Sequence, residues 1–179
     1  MNILKKTKSY NIGAMEYVSD GETWRDRCDK FLGSLGVTCF NPYKRPFESA
    51  VKEDKESQKL MKEWRESGHL WKVHEHMKEI IAADLAMVDR ADFLIAYINP
   101  EVPTFGSMHE IVAANQQKKP IFVCIEGGVE KTPLWLLGLL PVRFFYNNFD
   151  DLLEMLRKID AGEVKIDSNR WRLFKEEYR

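Results

Sequence analysis

Two spacings of apolar residues alternate along the chain. Short, nearly continuous apolar runs lie at Ser9 to Ala14, Val37 to Phe40, Ala91 to Ile98, Ile121 to Ile125 and Arg143 to Tyr146. Runs of this kind, bounded by Gly, Pro or Asn, are the pattern of strands covered on both faces. Between them, apolar residues recur at helical spacing. Asp20-Gly21-Glu22 opens a helix that carries Trp24, Cys28, Phe31, Leu32 and Leu35 on one face, and Gly36 ends it. Leu70 to Arg90 bears a stripe of Val73, Met77, Ile80, Ile81, Leu85 and Val88. A sharp turn at Gly106, with Ser107 as N-cap, begins a helix that Lys118-Lys119-Pro120 closes. Pro133 to Leu140 and Phe149 to Ile159 are the remaining core helices.

Two stretches depart from this alternation. Tyr43 to Gly68 is rich in Lys and Glu, and reads as a loop followed by an exposed helix from Lys55 to Glu66 that carries no evident chemistry. Residues 161–179 are polar, with aromatic anchors at Trp171, Phe174 and Tyr178, and read as a tail, possible as a helix docked on the body or on a neighbouring subunit. There is no internal repeat and no low-complexity segment.

Strands alternating with helices predict an α/β fold with a parallel sheet and helices on both faces. Five strands suit a flavodoxin-like (Rossmann-like) order of 2-1-3-4-5, in one domain over residues 1–160. In that order the chain reverses direction between the first and third strands, and ligands bind there, outside the strand ends. The loops at that point are Gly13 to Asp20 and Asn99 to Glu110, so they should meet at one crevice.

Charge and cysteine usage narrow the partners. A net charge of -1 gives no pull toward a nucleic acid polymer or an anionic membrane. The three cysteines, Cys28, Cys39 and Cys124, lie far apart in core-like positions, which fits a reducing compartment. The polar start of the chain shows no leader, and no apolar run nears the roughly 20 residues that span a bilayer, so a cytoplasmic location is expected. His69, His74 and His76 lack the i, i+4 spacing of a metal pair, and neither a metal nor a cofactor is expected.

Two carboxylates are the candidate chemistry. Glu110 stands beside the expected crevice, in the first turn of its predicted helix. Ser107-x-x-Glu110 can be a capping box, in which both side chains serve the helix start. Equally, Glu110 can be a nucleophile, since an ionised carboxylate can attack carbon. Asp84 lies four residues from both Ile80 and Val88, on the apolar face of its helix, where a carboxylate needs a partner or a polar cavity. It is either an ion-pair partner, for Arg25 or Arg90, or the second group of a catalytic pair. Gly106 and Ser107 could hold a phosphate at the helix start. Asp92, at the opposite end of the central strand, reads as structural, and His109 as a surface residue.

Three segments, in order, resemble the nucleoside 2-deoxyribosyltransferases and related nucleotide N-glycosidases. They are Tyr10-Asn11-Ile12-Gly13-Ala14-Met15, the run from Ala83-Asp84-Leu85 to Ala91-Asp92-Phe93-Leu94-Ile95-Ala96, and Gly106-Ser107-Met108-His109-Glu110-Ile111 with Ala113-Ala114 and Lys119-Pro120. The resemblance implies Glu110 as the nucleophile of a covalent glycosyl-enzyme intermediate, Asp84 as the group at the base, and Tyr10 beside the nucleophile. It implies a substrate contact for Gly13, Met15, Thr104, Gly106 and Ser107, and a homo-oligomer whose subunits complete one another's sites. Several transferases of the family carry an aspartate where this chain has Thr104. That departure counts against nucleobase exchange, and the hydroxyls of Thr104 and Ser107 could suit a 5′-phosphate.

The expected activity is cleavage or transfer at the N-glycosidic bond of a (deoxy)nucleoside or nucleotide. The alternatives are a nucleoside 5′-phosphate N-glycosidase, an enzyme that splits another N-glycoside such as that of NAD, and a non-catalytic nucleotide-binding module on the same scaffold, because fold alone does not establish function.

Overall fold

The computed structural model describes residues 2–15, 21–44, 54–166 and 169–175. A five-stranded, wholly parallel sheet forms the centre, in the order β2-β1-β3-β4-β5. The strands are β1 (Lys8–Gly13), β2 (Thr38–Phe40), β3 (Phe93–Ile98), β4 (Ile121–Ile125) and β5 (Phe145–Tyr146). The helices are α1 (Thr23–Ser34), α2 (Lys55–Glu66), α3 (Leu70–Arg90), α4 (Phe105–Gln116), α5 (Leu134–Leu139) and α6 (Phe149–Ala161). The flavodoxin-like order expected from the alternation is the one observed.

Side-chain alternation along the strands splits the core into two layers. Phe93, Ile95, Phe122 and Cys124 face α1, α6 and the C-terminal segment. Tyr10, Ile12, Leu94, Ala96, Ile98, Val123 and Ile125 face α3, α4 and α5. β1 is therefore two-sided in character: Tyr10 and Ile12 enter the second layer, while Ser9 and Asn11, both fully buried, face the first. Lys119 joins the end of α3 to the start of β4, its ammonium donating to the carbonyls of Val88 at 2.5 Å and Asp89 at 2.6 Å. Those are carbonyls of the last helical turn, which have no partner within the helix.

Four expectations need correction. α4 starts at Phe105, with Thr104 as its cap residue, so Ser107 is inside the helix and Gly106 makes no sharp turn. β5 is shorter than Arg143 to Tyr146, because Val142–Phe144 coils into a 3-10 turn after Pro141. Ile81 is 43 % exposed, whereas Met87, not part of the expected stripe, is buried at 3 %. Among its described residues the tail forms a short 3-10 turn at Arg172–Phe174 and no α-helix. Helix α2 lies where expected, but it is not wholly solvated: Ser57 and Met61 are buried, and Ser57 Oγ lies 2.7 Å from His76 Nε2 on α3. Glu16, Asp20 and Tyr178 lie outside the described residues.

The tail docks on the body of the domain. Trp171 is 1 % exposed, with its ring centroid 5.4 Å from that of Phe144, which in turn lies 5.0 Å from Phe122. Arg172 N donates to Lys118 O at 3.1 Å, which fixes the segment across the α4–β4 connection. Truncating a buried Trp costs about 3–5 kcal/mol. Trp171→Ala is expected to lower the unfolding free energy by about that amount in urea denaturation, with the residues after α6 losing their protease resistance first.

Candidate active site

The site begins with Tyr10. Its position on β1 aims the side chain under α3 and α4, and the residue is 2 % exposed. A buried phenol needs a polar partner. Its hydroxyl donates to Glu110 Oε1 at 2.6 Å, across 100 residues of sequence. The Asp84 carboxyl lines the same cavity and feels this hydroxyl, which acts to lower its pKa. The two carboxylates that the sequence singled out, one from α3 and one from α4, thus share a cavity with Tyr10.

Glu110 is 7 % exposed and lies in the second turn of α4. Because α4 begins two residues before Ser107, Ser107 and Glu110 cannot form a capping box, and Glu110 lies beyond the turn where the helix dipole acts strongly. The partner the structure provides is Tyr10, which sets the orientation of the carboxylate.

Asp84 is half-buried on α3. Burial pushes its carboxyl up from the ordinary 3.8 to about 6, against the Tyr10 hydrogen bond and the pull of the Arg25 guanidinium, which both act to lower it. At neutral pH it sits close to the point where it can either give or take a proton.

Arg25 entered the sequence reading only as a possible partner of Asp84. It is fully buried at 0 % exposure. Its guanidinium donates to the carbonyls of Asn11 at 3.3 Å, Gly21 at 2.5 Å and Gly13 at 2.9 Å. It also lies 4.4 Å from the Trp24 ring centroid and 5.4 Å from that of Tyr43. Its spacing from Cys28 and Leu32 puts it on the buried face of α1, and a permanent cation on that face was the signal that could have marked it.

A cavity of about 260 Å³ opens at this end of the sheet. Tyr10, Gly13, Met15, Asp84, Thr104, Gly106, Ser107 and Glu110 all line it. Arg25 adds a cation, and Met77, Ile80, Ile81 and Phe105 form an apolar wall. A Cβ at Gly13 would come within 2.9 Å of Tyr97 O and 3.1 Å of the Trp24 ring, so glycine is required there by close packing. At Gly106 a Cβ would meet nothing within 4 Å. His109 is exposed, and Asp92 Oδ2 accepts from Lys8 N at 2.7 Å at the other end of the sheet. Among the described residues no three potential ligands gather as a metal site.

Solved structures share this fold at low sequence identity. The 2-deoxyribosyltransferase of the psychrotolerant bacterium Bacillus psychrosaccharolyticus aligns over 82 % of this chain and 90 % of its own, with 16 % identity and a TM-score of 0.55. The CMP N-glycosidase of Clostridium botulinum aligns over 84 % and 98 %, at 17 % identity and 0.50. A conserved protein from Enterococcus faecalis V583 aligns over 86 % and 99 %, at 16 % and 0.57. No family sequence model matches the chain, and no curated protein matches it in sequence. The likeness is one of fold, and it extends over nearly the whole of each of these proteins.

The raised Asp84 pKa has a consequence for stability. The unfolded chain gives up this proton near pH 3.8 and the folded chain near pH 6, so stability falls as pH rises between those values and stays lower above them. Asp84→Asn removes the ionisation. The variant is expected to melt at a higher temperature than the wild type at pH 7 to 8, with the difference gone below about pH 4. Melting curves across that range check it.

Proposed function

We propose that the protein cleaves or transfers at the N-glycosidic bond of a (deoxy)nucleoside or nucleotide, with Glu110 as nucleophile and Asp84 as the acid for the leaving base. The observation that carries this reading is one cavity lined by Glu110, which accepts from the Tyr10 hydroxyl, and by Asp84, whose pKa burial raises to about 6. Glycosidases that work through a covalent intermediate divide nucleophile and acid between two such carboxyl groups.

The steps balance as a double displacement. A Glu110 oxygen attacks C1′ while the C1′–N bond breaks, and its electron pair leaves with the base. Asp84 gives its proton to that base, which needs the carboxyl to be protonated, as burial favours below about pH 6. Water or a second base then attacks C1′ and expels Glu110, and the Asp84 carboxylate takes the attacking group's proton. Tyr10 holds Glu110 in register. The permanent positive charge of Arg25 offsets the negative charge of the pocket, and its guanidinium holds the carbonyls of Asn11, Gly13 and Gly21.

The hydroxyls of Thr104 and Ser107, beside the first turn of α4, favour a substrate with a 5′-phosphate, because a helix start supplies backbone N–H groups to an anion. The fold neighbours include a 2-deoxyribosyltransferase and a CMP N-glycosidase, which supports this class of chemistry and leaves open whether the acceptor is a base or water.

The experiment is incubation with deoxynucleosides and their 5′-monophosphates, with and without a free acceptor base, followed by chromatography of the released base. Glu110→Ala should lower turnover at least about a thousandfold with the fold intact, as removal of a nucleophile does. The wild-type kcat/KM is expected to fall as pH rises through about 6, and Asp84→Asn should lose that limb along with most activity. Undiminished turnover by Glu110→Ala would refute the assignment.

A further inference from the structure

The cavity at Glu110 has an apolar side that the bond-breaking chemistry leaves unused. Met77, Ile80 and Ile81 line it from α3, and Phe105 lines it from the start of α4. Ile81 stands three residues before Asp84, Ile80 four and Met77 seven. Those intervals put all three on the helix face that carries Asp84. A group that takes a proton from Asp84 therefore lies against this strip. The polar side chains of the cavity stand elsewhere, Tyr10 on β1, Arg25 on α1, and Ser107 and Glu110 further along α4.

Exposure divides the strip. Ile80 is buried at 5 %, whereas Ile81 is 43 % exposed and Phe105 87 %. Neither of the exposed pair belongs to a core layer of the domain. An apolar side chain left in water at a cavity mouth gains free energy from a ligand that covers it. A flat heteroaromatic ring suits this surface, because every base has a π-face that an aromatic side chain accepts without reading its hydrogen-bonding edge. Contact of this kind scales with the area covered. A purine, with two fused rings, covers more of it than a pyrimidine does.

We propose that Phe105 and Ile81 are the specificity-determining residues of this site, and that they favour a purine over a pyrimidine through the area of ring they cover. The inference rests on the reading of Asp84 as the acid for the leaving base, since that role brings the base to α3. Recognition by contact area sets a preference for ring size and leaves the exocyclic groups of the base nearly unread.

Titration calorimetry of the full chain carrying Glu110→Ala, where turnover does not intrude, tests this. The ligands are the 5′-monophosphates of deoxyadenosine and deoxycytidine, and base-free 2-deoxyribose 5-phosphate. The purine nucleotide should bind more tightly than the pyrimidine nucleotide. Adding Phe105→Ala should weaken the purine nucleotide about tenfold, the pyrimidine nucleotide less, and the base-free sugar phosphate not at all. Ile81→Ala should act in the same direction, and Phe105→Trp should keep the preference. Phe105 is exposed, so its truncation should leave the melting temperature unchanged. Equal affinity for the two nucleotides overturns the proposal, as does unchanged purine affinity in Phe105→Ala or an equal loss for the base-free sugar phosphate. A change of mass in sedimentation on Phe105→Ala, with nucleotide affinities intact, assigns the residue to contact with a second copy and also overturns it. Purine-selective binding that depends on Phe105, in a wild type that turns nothing over, upholds the base wall and refutes only the assignment of Glu110 as nucleophile.

Discussion

Carboxyl groups are costly to bury, and this structure sets a buried one, Glu110, and a half-buried one, Asp84, on the same side of a parallel sheet. An ionised carboxylate without partners loses several kcal/mol of solvation when moved inside a protein. Here the hydroxyl of Tyr10 gives its one proton to Glu110 at 2.6 Å, while burial raises the Asp84 carboxyl to about 6 against the lowering pull of Tyr10 and Arg25. The two carboxyls therefore sit in different surroundings. That difference is the usual basis on which paired acids take separate roles.

This arrangement depends on β1 being held firmly, and the opposite face of the strand shows how. Asn11 Nδ2 donates to Asp29 Oδ1 at 2.8 Å, Asn41 Nδ2 to Asp29 Oδ2 at 3.0 Å, and Lys44 Nζ lies 2.9 Å from the same carboxylate. One aspartate on α1 thus joins β1 to the segment after β2. Arg25, one turn earlier on α1, takes the carbonyls of Asn11 and Gly13 and stacks between Trp24 and Tyr43. The polar face of β1 fixes the strand, and the alternate residues carry Tyr10 to the cavity. Strand periodicity makes this division of labour possible, since neighbouring side chains point to opposite layers.

Much of this was legible in the amino-acid pattern, for identifiable reasons. The strands β1, β3 and β4 announced themselves because burial on both faces forces a continuous apolar run, and α3 because its stripe is long. Asp84 stood out as a carboxylate on an apolar face, and the structure does place it beside Glu110 at one cavity. Less legible was anything decided by a contact distant in sequence. The start of α4 was misread because Ser107 is the better cap by composition, whereas the helix begins after Pro103 with Thr104 making no side-chain cap bond. The partnership of Glu110 with Tyr10 spans 100 residues, and no local rule reports it. Arg25 was underrated because its three carbonyl acceptors lie in loop and strand backbone that only the fold assembles.

The two ends of the sheet also differ in a way that follows from its being parallel. Helices leave the carboxyl ends of the strands and return to their amino ends, so helix starts gather at one end and helix finishes at the other. At the finishing end, the carbonyls of Val88 and Asp89 draw in the buried ammonium of Lys119. At the starting end, the first turn of α4 has no side-chain cap, and its Gly106 and Ser107 line the cavity. A helix start that is not closed by its own side chain is a place where an anion is well received. The carboxylates that share the cavity enter from β1's neighbours α3 and α4 further in, at Asp84 and at the second turn of α4. In the proposed function a 5′-phosphate and a reactive carbon would be read along this one helix, with the distance between them set by the rise from Ser107 to Glu110.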